Sequence, residues 1–299
     1  MNLRSHFEPA VSHTIEALAA RAWPADEVHE VEGWLLRRTE GVDRRRSNSL
    51  LPPTDPGHAA RTLDVALATA EELDVSPIVQ VSPAESHLRL DQALDDRGMA
   101  TLGHSLVLAG RLTAGSGRPA RRRRGQTLAA TRAIAGDPVE IGGGPSDHPA
   151  ADVGGDDRTV IGGRRGGVTV GLSGLSAEWV DTWASVSGLS GTGATAELVL
   201  SQLGERARFA VATDAAGVAI AVGIGVVEAG WLGVFSLATI PTARRHGAAT
   251  AVVDTLEAWA LIQRAHATYL QVERDNIPAL SFYAHRGLSV AHSYHYRSA

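Results

Sequence analysis

Between Trp231 and Thr250 the sequence WLGVFSLATIPTARRHGAAT passes from an apolar run through Pro241, two arginines and Gly247 into a helical pattern. That order can build an anion site. A helix N-terminus leaves its first backbone N–H groups without partners, and the helix dipole adds about half a positive charge there. A residue with no side chain at Gly247 lets an anion approach those donors closely. A lone Arg-x-x-Gly-x-Ala also fits an ordinary helix start, so the chemistry depends on what surrounds it. Downstream, in VERDNIPALSFYAHRGL, Asn276 is placed to cap a short helix. Pro278 falls in its first turn, where a missing N–H costs nothing. Phe282 and Tyr283 lie on that helix, and Gly287 ends it.

The elements that must hold these residues follow from hydrophobic spacing. Trp231, Val234, Phe235 and Leu237 form a run of strand length, which Pro241 ends by fixing φ and removing a donor. Val252, Val253, Leu256, Trp259, Ala260 and Ile262 recur at helical spacing. Before them, Val168–Leu175 reads as a strand and Ser176–Val186 as a helix with Ser176 as N-cap and Trp179 and Trp183 one turn apart. Arg208–Thr213 and Val218–Val227 read as strands joined at a turn, and Tyr269–Glu273 and Leu288–Tyr296 as later strands.

The N-terminal half has a similar order. His13–Ala22 is a predicted helix, and Val31–Arg38 and Ser47–Leu51 are predicted strands around a turn at Glu40–Gly41. The cluster Arg44, Arg45, Arg46 reads as a solvated edge, with an anion site as the alternative. Ala59–Leu73 is a predicted helix, Pro77–Val81 a buried strand, Leu88–Asp96 a short helix stopped by Gly98, and His104–Leu112 a strand that closes the unit. Gly33–Trp34 matches Gly230–Trp231, Gln80 matches Gln271, and Arg97–Gly98 matches Arg286–Gly287, so the chain reads as two divergent copies of one unit. Where the second copy has Arg244–Ala249, the first has LPPTDPG, whose three prolines remove N–H groups an anion would need. The first half is therefore expected to be a scaffold or one wall of a pocket. Residues 113–165, rich in Gly and Arg, read as a linker or insertion, and Arg121–Arg124 as a solvated charge run.

Composition bounds the rest. The chain has 299 residues, 44% of them hydrophobic, enough for two units with proper cores. It has no cysteine, which excludes disulfides, a thiolate nucleophile and Cys-ligated metal. A net charge of −5 gives no global reason to expect nucleic acid or an anionic membrane as partner. The histidines show no metal-ligand spacing, so no metal is expected. No apolar run approaches membrane-spanning or signal-peptide length, and a cytoplasmic monomer or homodimer is the expectation.

Arg244, Gly247 and Ala249, followed by Asn276, Ala279, Phe282, Tyr283 and Gly287, resemble the two signatures of the GNAT superfamily of N-acetyltransferases. The resemblance covers about residues 166–299 in full and implies an α/β (α+β) fold. Together with the repeat it implies two tandem units, each a mixed, largely antiparallel sheet flanked by helices: residues 1–112, degenerate, and residues 166–299, catalytic. It implies acetyl-CoA as cosubstrate. Backbone groups of Leu237, Ala238 and Thr239 would hold the pantetheine arm, and the loop Arg244, Arg245, His246, Gly247, Ala248, Ala249 and Thr250 the pyrophosphate. Asn276 would bond the pantetheine region. Tyr283 would be the general acid, since a phenol of pKa ~10 can protonate a departing thiolate. Glu273 and Glu228 are the candidate bases, or ordinary surface charges. The implied reaction is acetyl transfer to a primary amine of a small molecule, with a protein or peptide amine, or non-catalytic acyl-CoA binding, as alternatives.

Overall fold

Turn chemistry sets the first strands. In the computed structural model, which describes residues 7–41, 44–112, 164–165, 167–187, 197 and 199–299, Glu32 (φ 48°) and Gly33 (φ 76°) form a two-residue turn. This turn joins β1 (Glu27–Val31) to β2 (Trp34–Arg38). The single strand expected over Val31–Arg38 is thus part of a hairpin, and its turn precedes the one expected at Glu40–Gly41. Residues 113–163, expected to form most of the linker and including Arg121–Arg124, lie outside the described residues.

In the first unit, α1 (Pro9–Ala22) starts on Pro9 and buries Val11, Ile15, Leu18 and Ala22. After β3 (Ser49–Leu51), Asp55 caps α2 (Pro56–Glu72) by accepting from the Gly57 N–H at 2.8 Å. Then come β4 (Val79–Val81), α3 (Leu88–Asp95), ended by Gly98 at φ 76°, and β5 (Ala100–Arg111). The second unit comprises β6 (Arg164–Arg165), β7 (Val168–Ser173), α4 (Ala177–Ser187), β8 (Ala207–Thr213), β9 (Ala219–Glu228), β10 (Trp231–Thr239), α5 (Ala248–Ile262), β11 (Ala267–Glu273), α6 (Ile277–His285) and β12 (Ser289–Ser298).

The twelve strands of the described residues form one sheet in the order β1-β2-β3-β4-β12-β5-β11-β10-β9-β8-β7-β6. β3/β4 and β10/β11 pair in parallel; each pair is joined through a helix, as parallel neighbours require. This topology makes β3 the counterpart of β10, so the matched Gly33–Trp34 and Gly230–Trp231 do not occupy equivalent strands. Both pairs instead span the end of a hairpin turn of the same kind and the first residue of the strand after it, with Ala229 at φ 48° and Gly230 at φ 77° in the second. The last strands also depart from expectation. β5 does not close its own unit; it lies between β11 and β12, while β12 lies between β4 and β5. Each unit's final strand therefore pairs with the penultimate strand of the other.

Side chains alternate across the sheet, and helices cover both faces. α1 and α4 pack on the face bearing Trp231, Phe235, Tyr269, Tyr294 and Tyr296. α5 and Tyr283 of α6 share the other face with Val234, Leu270 and Val272. α2 and α3 cover the first unit's strands around Trp34 and Leu50.

Candidate active site

β10 and β11 run together only from Trp231↔Ala267 to Val234↔Leu270. Beyond Val234 they part. On its other side β10 carries an irregularity between Phe235 and Ala238, where Ser236 adopts φ 51°. The β11-facing edge of β10 from Phe235 to Thr239 is thereby left without a strand partner.

A cavity of about 600 Å³ opens at this splay. Because Val234 and Phe235 point to opposite faces, as do Tyr269 and Leu270, the cavity passes through the sheet. Leu237, Ala279 and Tyr283 line it on the α5/α6 side. Trp23, Trp183, Phe235, Tyr294 and Tyr296 line it on the α1/α4 side, with Arg44, Arg45 and Arg46. The first unit contributes Trp23, the arginines, Gly103 and Ser105.

Tyr283 is 6% exposed and its ring meets Phe282 edge-on at 4.9 Å. Burial pushes the phenol's pKa well above its ordinary value; Arg286 opposes this and Glu257 adds to it. α6 is tied to α5 by the buried Arg286 guanidinium, 2.6 Å from Glu257 and 2.7 Å from Asp254. Asn276 lines the cavity, and its Oδ1 accepts from the Ala279 N–H at 3.2 Å, so the side chain caps α6. Glu273 sits exposed at the end of β11 and also lines the cavity. Glu228 lies elsewhere, at the β9–β10 turn, where Arg21 and Arg206 hold its carboxylate.

The loop after β10 forms a short turn over Pro241–Ala243. Arg244 Nε donates to the Thr239 carbonyl at 3.2 Å, Arg245 takes φ 68° and Gly247 takes φ 87° as the N-cap of α5. Among the described residues no side chain caps that helix. Its first hydrogen bond runs from Ala251 N to Gly247 O at 2.9 Å, so the amides of Ala248, Ala249 and Thr250 precede the helical ladder and have no acceptor within it. An unpaired β10 edge and an uncapped helix start with a left-handed glycine fit an extended polar arm ending in phosphates. Leu237, Glu273, Asn276 and Tyr283 come together in the cavity; Ala238, Thr239 and the Arg244–Thr250 loop lie outside its lining.

Sequence reasoning missed Tyr294, Tyr296, Ser105 and Gln271 as lining residues, since exchange of the last strands brings β5 and β12 here. The arginine cluster is more than a solvated edge: Arg45 is exposed and Arg44 and Arg46 half-buried, and all three lie against aromatic rings and line the cavity. Trp183 is the member of the Trp pair that faces the cavity, while Trp179 is buried with its Nε1–H donating to the Gly223 carbonyl at 3.1 Å.

Residues 156–288 match the Acetyltransferase (GNAT) family. No curated protein matches the sequence. Among solved structures, the chain is similar to a GCN5-related N-acetyltransferase from Kribbella flavida, at 14% identity and a TM-score of 0.59, covering 97% of this chain and 95% of that one. It is also similar to a tandem GNAT protein from the clavulanic acid biosynthesis pathway, at 11% identity and a TM-score of 0.54, covering 95% and 87%. A functionally unknown conserved protein from Staphylococcus epidermidis matches at 8% identity and a TM-score of 0.50, covering 91% and 93%. Residues 156–288 thus match a GNAT acetyltransferase domain, and the whole chain has the fold of tandem GNAT structures. The family supports acyl transfer from an acyl-CoA. Among the described residues no helix is long and apolar enough to cross a membrane.

Proposed function

We propose that the chain is an N-acetyltransferase that moves an acetyl group from acetyl-CoA to a primary amine of a small molecule by direct attack. The reading divides the chain into a degenerate unit over residues 1–112, a linker after it, and a catalytic unit that begins with β6 at Arg164, two residues before the expected boundary at 166. The observation that carries it is the through-sheet cavity, with Tyr283 on one face and an aromatic, cationic chamber on the other.

Bound acetyl-CoA supplies a thioester carbonyl and a thiolate leaving group. The Phe235–Thr239 edge of β10, including Leu237 and Thr239, would hold the pantetheine arm, and the amides at the start of α5 the pyrophosphate. Tyr283 keeps its proton at neutral pH because burial raises its pKa, as a donor to a departing thiolate must. Glu273, at the cavity mouth, is the residue that could take the ammonium proton through water. A cavity of about 600 Å³ walled by both units favours a small acceptor over a protein chain. Free-thiol release from acetyl-CoA with a panel of small amines and amino-terminal peptides tests the reading. Turnover is expected with small amines; CoA binding without turnover of any amine would leave only a binding protein.

A further inference from the structure

Resting on the acyl-transfer reading above, we propose that Arg44, Arg45 and Arg46 of the first unit form an oxyanion-binding wall in the acceptor half of the cavity. The acceptor is then a small amine that carries a carboxylate or phosphate group away from the nitrogen.

The arginines lie on the face opposite Tyr283, where an acceptor would approach. Arg44 sits over Trp183 at 5.5 Å, Arg45 over Tyr296 at 5.3 Å, and Arg46 over Phe235 at 5.7 Å and Trp23 at 5.8 Å. A guanidinium resting on a ring keeps its N–H groups in its own plane, the geometry that takes a carboxylate or phosphate side-on. The backbone beneath is pinned. Ser47 N donates to Arg44 O at 3.0 Å, Asn48 N to Arg45 O at 3.1 Å, and Trp23 Nε1 to Ser47 Oγ at 2.9 Å. A Cβ on Gly103 would come within 3.0 Å of Arg45 Nη2, so this glycine leaves room for the guanidinium.

Ion pairs among the described residues engage Arg21, Arg38, Arg97, Arg206, Arg286 and Arg297. Among those residues no carboxylate is ion-paired with Arg45 or Arg46, and Tyr294 hydrogen-bonds Arg46. Glu16, which acts on Arg46 through its charge, is bound to His292 at 2.6 Å and Gln80 at 3.2 Å. Burial pushes the Tyr296 phenol up to about 12, with Tyr294 adding to the shift, so it stays neutral. Glu273, at the mouth, is the carboxylate in the lining. An anionic acceptor would complete the charge balance. Its ammonium end has a partner in Gln271, whose buried Oε1 has none within the described residues.

The test pairs amines that differ only in the anionic group: an amino acid with its amide, and an aminoalkyl phosphate with its alcohol. For the preferred anion, kcat/KM is expected to exceed that of the neutral mate by about 10- to 100-fold, and the two pairs separate carboxylate from phosphate. Arg45→Gln and Arg46→Gln should each cut that ratio about tenfold through KM for the acceptor, with KM for acetyl-CoA unmoved. A preference for neutral amines, or an unchanged ratio in both variants, overturns the inference and leaves acyl transfer standing. If no amine turns over, the acyl-transfer reading falls, and calorimetry with inorganic phosphate and with acetate on the full chain decides the wall. Saturable binding weakened in Arg45→Gln supports it; no binding, or binding unaltered by the substitution, overturns it. Arg45 is exposed, so this variant remains informative should Arg46→Gln fail to fold.

Discussion

The same place in the two units is closed in one and open in the other. β3 meets β4 at Leu50↔Val79 as β10 meets β11 at Val234↔Leu270, which makes Gln80 and Gln271 equivalent. In the first unit Gln80 accepts from Arg37 at 2.9 Å and donates to Glu16 at 3.2 Å, and Arg37 also donates to Ser49 Oγ at 2.8 Å. His87 lies 3.0 Å from the carbonyls of both Pro53 and Pro83, bridging the segments that follow β3 and β4 where they would part. In the second unit the Gln271 Oε1, beside the cavity, has no partner among the described residues. Prolines and a buried polar network turn a splayed junction into a structural joint; leaving the polar groups unmatched keeps it available for a ligand.

The largest effect expected at the open junction is on chemistry. Tyr283→Phe should lower kcat about 10²- to 10⁴-fold while the KM for acetyl-CoA changes little, read by free-thiol release. Unchanged turnover would remove Tyr283 from the acid role.

At the closed junction the largest effect is on stability. Glu16→Ala strands His292, Gln80 and Arg37 in the interior and should cost about 3–5 kcal/mol, measured by urea unfolding. Burial opposes ionisation of Glu16, but the hydrogen bond and charge of His292 prevail and hold its pKa below the ordinary 4.5. Its contribution is therefore present above pH 4.5 and lost as pH falls through the folded-state value. The stability gap between wild type and Glu16→Gln should close on acidification below pH 4.5.

The paired glutamines test the comparison directly. Gln80→Leu should destabilise by about 1–3 kcal/mol because buried partners lose their bonds, whereas Gln271→Leu should change stability by less than about 1 kcal/mol. Equal losses in the two variants would mean that the open junction is as structural as the closed one.

Smallest is the expected effect of Gly247→Ala. A Cβ there would meet open space in this structure, leaving the cost of a left-handed residue, about 1–2 kcal/mol. A rise in the KM for acetyl-CoA beyond what that stability loss explains would support phosphate contact at the α5 N-terminus.

Local elements were readable wherever one residue's covalent chemistry decides the backbone. Pro241 ends β10, Gly247 adopts the positive φ that a side chain disfavours, and Asn276 caps α6. Glu32 was not readable in this way, since a glutamate at φ 48° runs against its own preference and follows the hairpin. The arginine cluster misled because a charge run is usually solvated, and nothing local announces that Trp23, Tyr296 and Phe235 will receive it. Glu16 and His292, 276 positions apart, carry no sequence sign of their pairing.

By itself, then, the sequence determined the helix starts, the strand runs and the motif residues, because these depend on φ, caps and periodicity within a few residues. The tertiary structure decided which strands become neighbours. A strand's alternation says which face is buried but names no partner, and only the exchange of β5 and β12 brings the first unit's arginines to the second unit's open junction.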